Sequence, residues 1–229
     1  MSRYADLVMT DKPVGYWRLG EPAGAAFARD VLGKHDGVYS ASNALAFGVA
    51  GALANDPDTA MTFDGNGRIV FGDAFDFGND SAFSIELWLK TPLTNDSSYR
   101  RVISKESATE GYNLEVTPDG KLAFSVFAKG GPNVDGGIFD GVFVPVVAGT
   151  YVHVVAIYDT TAIQLYVNGA LVETDPGVVT MPNRVDPFVI GGASFMTPLT
   201  DTRGTIDEVA VYDKILSPAR ILAHYLAGR

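Results

Sequence analysis

Asp207 and Glu208 stand side by side in the run Gly204-Thr-Ile-Asp-Glu-Val-Ala-Val-Tyr212. As an alternating strand, this run places Asp207 with Val209 and Val211 on one face, and Glu208 with Ile206, Ala210 and Tyr212 on the other. Each face then carries one carboxylate among apolar neighbours. An ionised carboxylate in such surroundings costs several kcal/mol unless it is hydrogen-bonded, paired or metal-bound, so both acids require partners. The same geometry argues against glycoside hydrolysis, which takes two facing carboxylates roughly 5–10 Å apart. Glu86, in Phe83-Ser-Ile-Glu-Leu-Trp-Leu-Lys90, is the only acid of its segment, and no E-x-D-x-x-E or G-x-S-x-G run occurs. The three histidines, His35, His153 and His224, are scattered without metal-ligand spacing, and each is expected to satisfy a local hydrogen bond. The expectation is a protein without enzymatic activity.

The elements that must position these residues are mostly short strands. Segments near Gly15–Leu19, Ala60–Phe63, Arg68–Phe71, Ala82–Lys90, Arg101–Ser104, Tyr112–Thr117, Lys121–Phe127, Gly137–Val144, Tyr151–Tyr158, Ile163–Val167, Ala170–Glu173 and Pro187–Gly191 fit the pattern. In the fourth, Phe83, Ile85, Leu87 and Leu89 share a face, with Glu86 and Trp88 opposite. Thr117-Pro-Asp-Gly120 and Asn168-Gly169 are strong turn signals. Helix is expected only at the ends. Ser2–Thr10 is stopped by Asp11-Lys-Pro13, and a last helix is capped by Ser217 with Pro218 at its first position and Ile221, Leu222, Tyr225 and Leu226 as its apolar stripe. The polar segments Thr91–Tyr99, Lys129–Gly136 and Ser194–Arg203 are the loops expected to carry function.

Five blocks then combine. They are Pro13-Val-Gly-Tyr-Trp-Arg-Leu-Gly-Glu21, Thr59-Ala-Met-Thr-Phe-Asp-Gly-Asn-Gly67, Phe83 to Lys90, Tyr151-Val-His-Val-Val-Ala-Ile-Tyr-Asp159 running into Leu165-Tyr-Val-Asn-Gly169, and the terminal strand and helix. In this order they resemble the laminin G-like, concanavalin A-like jelly-roll domains of bacterial and phage proteins over nearly the whole chain. The resemblance implies an all-β, antiparallel two-sheet jelly-roll sandwich with short terminal helices, forming a single domain over residues 1–229. It also implies a structural calcium ion that staples the N-terminal region to the last strand. The matching ligands are Asp207, Glu21 or Asp30, and backbone carbonyls of Gly65 or Gly67. The alternative is that Asp207 accepts backbone N–H groups or pairs with Arg68 or Arg18. Sugar binding on such a fold uses loop aromatics with a few amides or carboxylates, for which Tyr99, Asn133, Asp135, Phe139, Phe143 and Phe195 are the candidates.

Composition narrows the partners. A net charge of −10, from 17 basic and 27 acidic residues, argues against nucleic acid. No run approaches the roughly 20 apolar residues of a membrane span. The start, Met1-Ser-Arg-Tyr-Ala-Asp, has no secretory pattern. Zero cysteines exclude disulfides and thiolate sites. Charged residues make up only 19%, below the usual quarter or so, which suggests surface covered by another subunit. The function expected from these features is a non-enzymatic bacteriophage virion component, a tail, fibre or capsid decoration protein. It would be made in the host cytoplasm, associate with itself or other virion proteins, and contact cell-surface polysaccharide. The alternative is a bacterial carbohydrate-binding module without catalytic activity.

Overall fold

Alternating segments separated by glycine and proline punctuation leave the chain few options other than paired strands. The computed structural model describes residues 2–40, 44–78, 81–92, 98–108, 110–127, 140–145 (backbone only), 148–176, 181, 183–194 and 201–229. Its elements are α1 (Arg3–Thr10), β1 (Gly15–Trp17), β2 (Phe27–Ala28), β3 (Gly37–Ser40), β4 (Leu45–Ala50), β5 (Thr59–Asp64), β6 (Arg68–Val70), β7 (Phe83–Lys90) and β8 (Arg100–Glu106). There follow β9 (Gly111–Val116), β10 (Lys121–Phe127), β11 (Asp140–Pro145), β12 (Val152–Tyr158), β13 (Ala162–Val167), β14 (Ala170–Pro176), β15 (Val189–Ile190), β16 (Arg203–Tyr212) and α2 (Pro218–Gly228).

One sheet runs β14-β13-β12-β7-β16-β5-β4, with β1 also lying against β16, and the other runs β11-β10-β9-β8-β15-β6-β3-β2. The strand pairs are antiparallel, and the fold is the expected jelly-roll sandwich. Between the sheets lies a core to which β7 contributes Phe83, Ile85, Leu87 and Leu89, as its alternation requires. Trp88 points the other way, into a second apolar layer with Tyr16, Val155, Tyr166 and Tyr212, and both helices cover that layer through Tyr4, Ala5, Val8 and Ile221.

The last helix starts where the sequence says, with the Ser217 hydroxyl accepting the Arg220 N–H. Its buried face differs from the expected stripe: Ile221, His224 and Gly228 are buried, whereas Leu222 and Leu226 stay exposed. Gly228 is the reason. A Cβ at that position would come within 2.4 Å of Trp88 Cζ2, so only a glycine lets the helix settle on the indole with this rotation.

β16 departs from simple alternation at the two acids. Along one edge it follows β7; along the other, Arg203–Ile206 pair with β5 and Val209–Val211 pair with β1. At the hand-over Asp207 lies opposite Trp88 but Ala210 lies opposite Glu86, and Glu208 takes φ +53°. Two residues thus oppose Leu87. This β-bulge resets the side-chain phase. Ile206, Val209 and Val211 keep the inner face, and Asp207 and Glu208 both turn to the outer one, which corrects the expected split of the pair.

Candidate functional site

The gap between the ends of β5 and β1 gathers charge because strand termini meet there. Arg18 follows β1, Asp58 precedes β5, and Glu208 sits in the bulge between them. Arg18 reaches Asp56 at 2.5 Å, Glu208 at 2.7 Å and Asp58 at 2.9 Å, while the Tyr16 hydroxyl donates to the other Glu208 oxygen. Burial pushes the Glu208 carboxyl up, the Arg18 and Tyr16 hydrogen bonds pull it back, and it settles at about 7. Asp207 accepts the Ala52 N–H on Oδ2 at 2.7 Å, and its Oδ1 has no hydrogen-bond partner among the described residues. Burial, then the Glu208 charge, raise its pKa well above the usual carboxylate range.

One strand over, Glu86 is the centre of a fully buried network. Its oxygens accept the Tyr4 hydroxyl at 3.0 Å and the Tyr212 hydroxyl at 2.8 Å. His153 Nε2 lies 2.7 Å from Oε1 and His224 Nδ1 3.0 Å from both oxygens. The other His224 nitrogen, Nε2, is 2.9 Å from Asp11 Oδ2, which Arg220 also binds at 2.7 Å. With a carboxylate near each ring nitrogen, the pKa of His224 is raised: burial pushes it down, and Glu86 and Asp11 more than offset this. Burial likewise raises Glu86, but His224 and His153 leave it well below its ordinary value. Both histidines were read as satisfying local hydrogen bonds; the structure instead brings them to one carboxylate from distant parts of the chain.

The outer face stays open at the end of β16 away from the helices. A cleft of about 530 Å³ is lined there by Thr62, Phe63, Asp64, Lys90, Thr91, Pro92, Gly149, Arg203, Gly204 and Thr205. The Thr62 and Thr205 hydroxyls bond each other at 2.7 Å, and Lys90 Nζ stands 4.5 Å from the centre of the Tyr151 ring. Beside it, a much smaller pocket lined by Arg100, Val116, Thr117 and Gly120 shares Thr91, Pro92 and Arg203. Hydroxyls, backbone groups and cations on a rigid sheet surface are the equipment of a polar-ligand site.

A family model described as the concanavalin A-like lectin/glucanases superfamily matches residues 63–222, from the end of β5 into the first turns of α2. The chain belongs to this superfamily. Among solved structures, this concanavalin A-like chain is similar to the botulinum neurotoxin serotype D ligand-binding domain in complex with N-acetylneuraminic acid. The TM-score is 0.70 and the identity 13%, over 96% of this chain and 52% of the other. It is also similar to a Trypanosoma rangeli sialidase mutant with trans-sialidase activity, at TM-score 0.66 and 16% identity over 95% and 33% of the two chains. A third is the binding domain of Paraclostridial Mosquitocidal Protein 1, at TM-score 0.67 and 12% identity over 91% and 51%. The chain thus spans between a third and about half of the length of these proteins. No curated protein matches it.

Within this concanavalin A-like sandwich Asp30 and Glu21, two of the expected calcium ligands, already have protein partners. Asp30 accepts the backbone N–H groups of Tyr16, Leu32, Lys34 and His35; Glu21 accepts the Arg29 N–H and the Tyr39 hydroxyl. Gly65, at φ +98°, makes room for Arg203, whose Nε would lie 2.8 Å from a Cβ placed there, and Gly67 precedes β6. Arg68 pairs with Asp201 and not with Asp207. Among the described residues no three acid or histidine side chains are placed to hold a metal ion. Among the described residues Asp207 Oδ1 is without a hydrogen-bond partner, and Arg18 already supplies positive charge to the acids around it. Exchanging calcium for EDTA is therefore expected to leave the melting temperature unchanged. A rise of several degrees on adding calcium, absent in Asp207→Asn, would reveal a cage built from backbone carbonyls.

Of the expected sugar contacts, Tyr99 is 48% exposed and immediately precedes Arg100 of the smaller pocket. Phe143 lies in β11, of which the backbone alone is described, and Asn133, Asp135, Phe139 and Phe195 lie outside the described residues. The residues that sequence reasoning missed are Asp56 and Asp58, His153 and His224 as partners of Glu86, and the floor of the cleft. Arg18 lies within the first segment read as a strand and Asp58 just before the second, but their meeting at the bulge depends on the pairing of β16. The histidines carried no signal in the sequence.

Proposed function

We propose that the protein is a non-catalytic, lectin-like adhesion module that holds cell-surface glycans in the cleft at the open end of β16. The observation that carries this reading is the cleft itself, with its threonine hydroxyls and charged rim on a rigid sheet. Asp64 is the one carboxylate among the described residues that line it, and glycoside hydrolysis takes two. Support from the fold is divided: its neighbours include a sialidase with trans-sialidase activity as well as toxin binding domains, one of them complexed with N-acetylneuraminic acid. The setting we favour is a bacteriophage particle. The chain's 19% charged content supports a surface partly shared with other subunits.

A glycan array probed with the purified protein tests the reading. Retention of at least one class of cell-surface glycan is expected, without release of free sugar. Thr62→Trp, which fills the floor of the cleft, should abolish retention while leaving the melting temperature within a few degrees. A blank array, or retention untouched by Thr62→Trp, would remove the cleft from consideration.

A further inference from the structure

The charged side chains on the cleft wall are set against residues that do not line it. Lys90 Nζ stands over the Tyr151 ring, and the Tyr151 hydroxyl is itself fixed on the Ala50 carbonyl at 2.8 Å. Asp64 Oδ1 accepts both the backbone and the side-chain N–H of Asn66 in the turn after β5. Arg203 packs along Gly65, where a Cβ would lie 2.8 Å from its Nε and 3.1 Å from its Cγ. Tyr151, Asn66 and Gly65 are all outside the lining. The backbone is committed as well: Gly204 pairs with Phe63 in the ladder between β16 and β5, and the Gly149 N–H donates to the Thr91 carbonyl at 2.8 Å. What faces the space is therefore largely carbon, from the Pro92 ring, Gly149, Gly204, the threonine methyls and the Lys90 stem. Gly149 adds room, since a Cβ there would meet nothing within 4 Å. Amid this carbon the Thr62 and Thr205 hydroxyls share one hydrogen bond at 2.7 Å, which leaves one O–H donor of the pair for a ligand.

We infer that the cleft selects glycans with an N-acetylated amino sugar, the acetamido methyl packed on Pro92, Gly149 and the Lys90 stem and its carbonyl oxygen accepting the remaining threonine proton. An acetamido group carries a methyl and a carbonyl oxygen on one carbon, which matches carbon walls beside that donor. This rests on the glycan-binding reading and adds the sugar class to it. Amino sugars of the gluco and galacto series and N-acetylated nonulosonic acids share the group, and the probes separate them. They are chitotriose beside cellotriose, N-acetylgalactosamine beside galactose, and N-acetylneuraminic acid beside its analogue with a hydroxyl at the same carbon.

Titration calorimetry should show at least one acetamido member binding roughly tenfold or more tighter than its hydroxyl partner. The preference should persist from 50 mM to 0.5 M salt, since screening acts on charges and these contacts carry none. The double variant Thr62→Val/Thr205→Val keeps the shape and removes both hydroxyls, so the preference should fall severalfold while the melting temperature stays within a few degrees. A preference unchanged in that variant, or one that survives Thr62→Trp, would overturn the inference. Equal binding within every pair, lost in Thr62→Trp, would also overturn it and leave the glycan reading standing. A fully blank array would overturn both.

Discussion

Glu86→Ala should lower the unfolding free energy by about 3–5 kcal/mol, the cost of removing one partner from a buried charged network. The reason is what remains behind. Tyr4, Tyr212, His153 and His224 all direct polar atoms at this one side chain, and without it two hydroxyls and two imidazoles are left in an apolar layer. Glu86→Gln should fall between wild type and alanine, since an amide oxygen still accepts hydrogen bonds but no longer balances a His224 cation. Urea titration followed by tryptophan fluorescence reads both variants, because Trp88 lies beside His153 with ring centres 5.1 Å apart. A loss below about 1 kcal/mol, the range of solvent-exposed ion pairs, would show that the network contributes little.

The second expected result is a pH dependence that belongs to His224. Its pKa is raised in the folded chain above 6.5, by Glu86 and then Asp11 against the opposing effect of burial. The stabilisation it brings is therefore complete below pH 6.5 and disappears as pH rises through the folded value. Glu86 acts in the opposite sense: held below 4.5, it stabilises fully above that pH and ceases to do so as pH falls through its depressed value. The groups facing His224 are Glu86 from β7, Asp11 after α1, Arg220 on its own helix and the Tyr4 ring. The stability difference between wild type and His224→Asn should be largest between pH 4.5 and 6.5. On the alkaline limb it should shrink by up to about 1.4 kcal/mol per pH unit, the slope for one proton. A difference that stays flat from pH 6 to 9 would show that His224 does not titrate in the native chain.

Much of the sandwich was legible because it is written in local patterns. Phe83 to Lys90 alternates without interruption, Ser217-Pro218 announces a helix, and Asn168-Gly169 announces a hairpin; each depends on neighbours in sequence. The acids were misplaced because the alternation fails at Glu208, whose positive φ is a conformation that glycine and asparagine signal and glutamate does not. A bulge of this kind is dictated by the change of neighbour from β5 to β1, a fact of topology. The Glu86 network was hidden for a related reason. Its members come from residues 4, 86, 153, 212 and 224, and no spacing rule joins them. Leu222 and Leu226 read as core because they continue an apolar stripe, yet one small residue, Gly228, decides how the helix rolls on Trp88.

The pairing of the two terminal helices has a mechanical meaning. Asp11 at the end of α1 is gripped by Arg220 and His224 of α2, and Arg220 also reaches the Leu7 carbonyl. Tension applied to the two ends of the chain is therefore shared between these cross-links and two anchors on the sheet, the Tyr4 hydroxyl on Glu86 of β7 and Gly228 against Trp88. Tension drawn from the ends would load the helices and these anchors on β7 together, so that parting the helices also pulls on the buried Glu86 network.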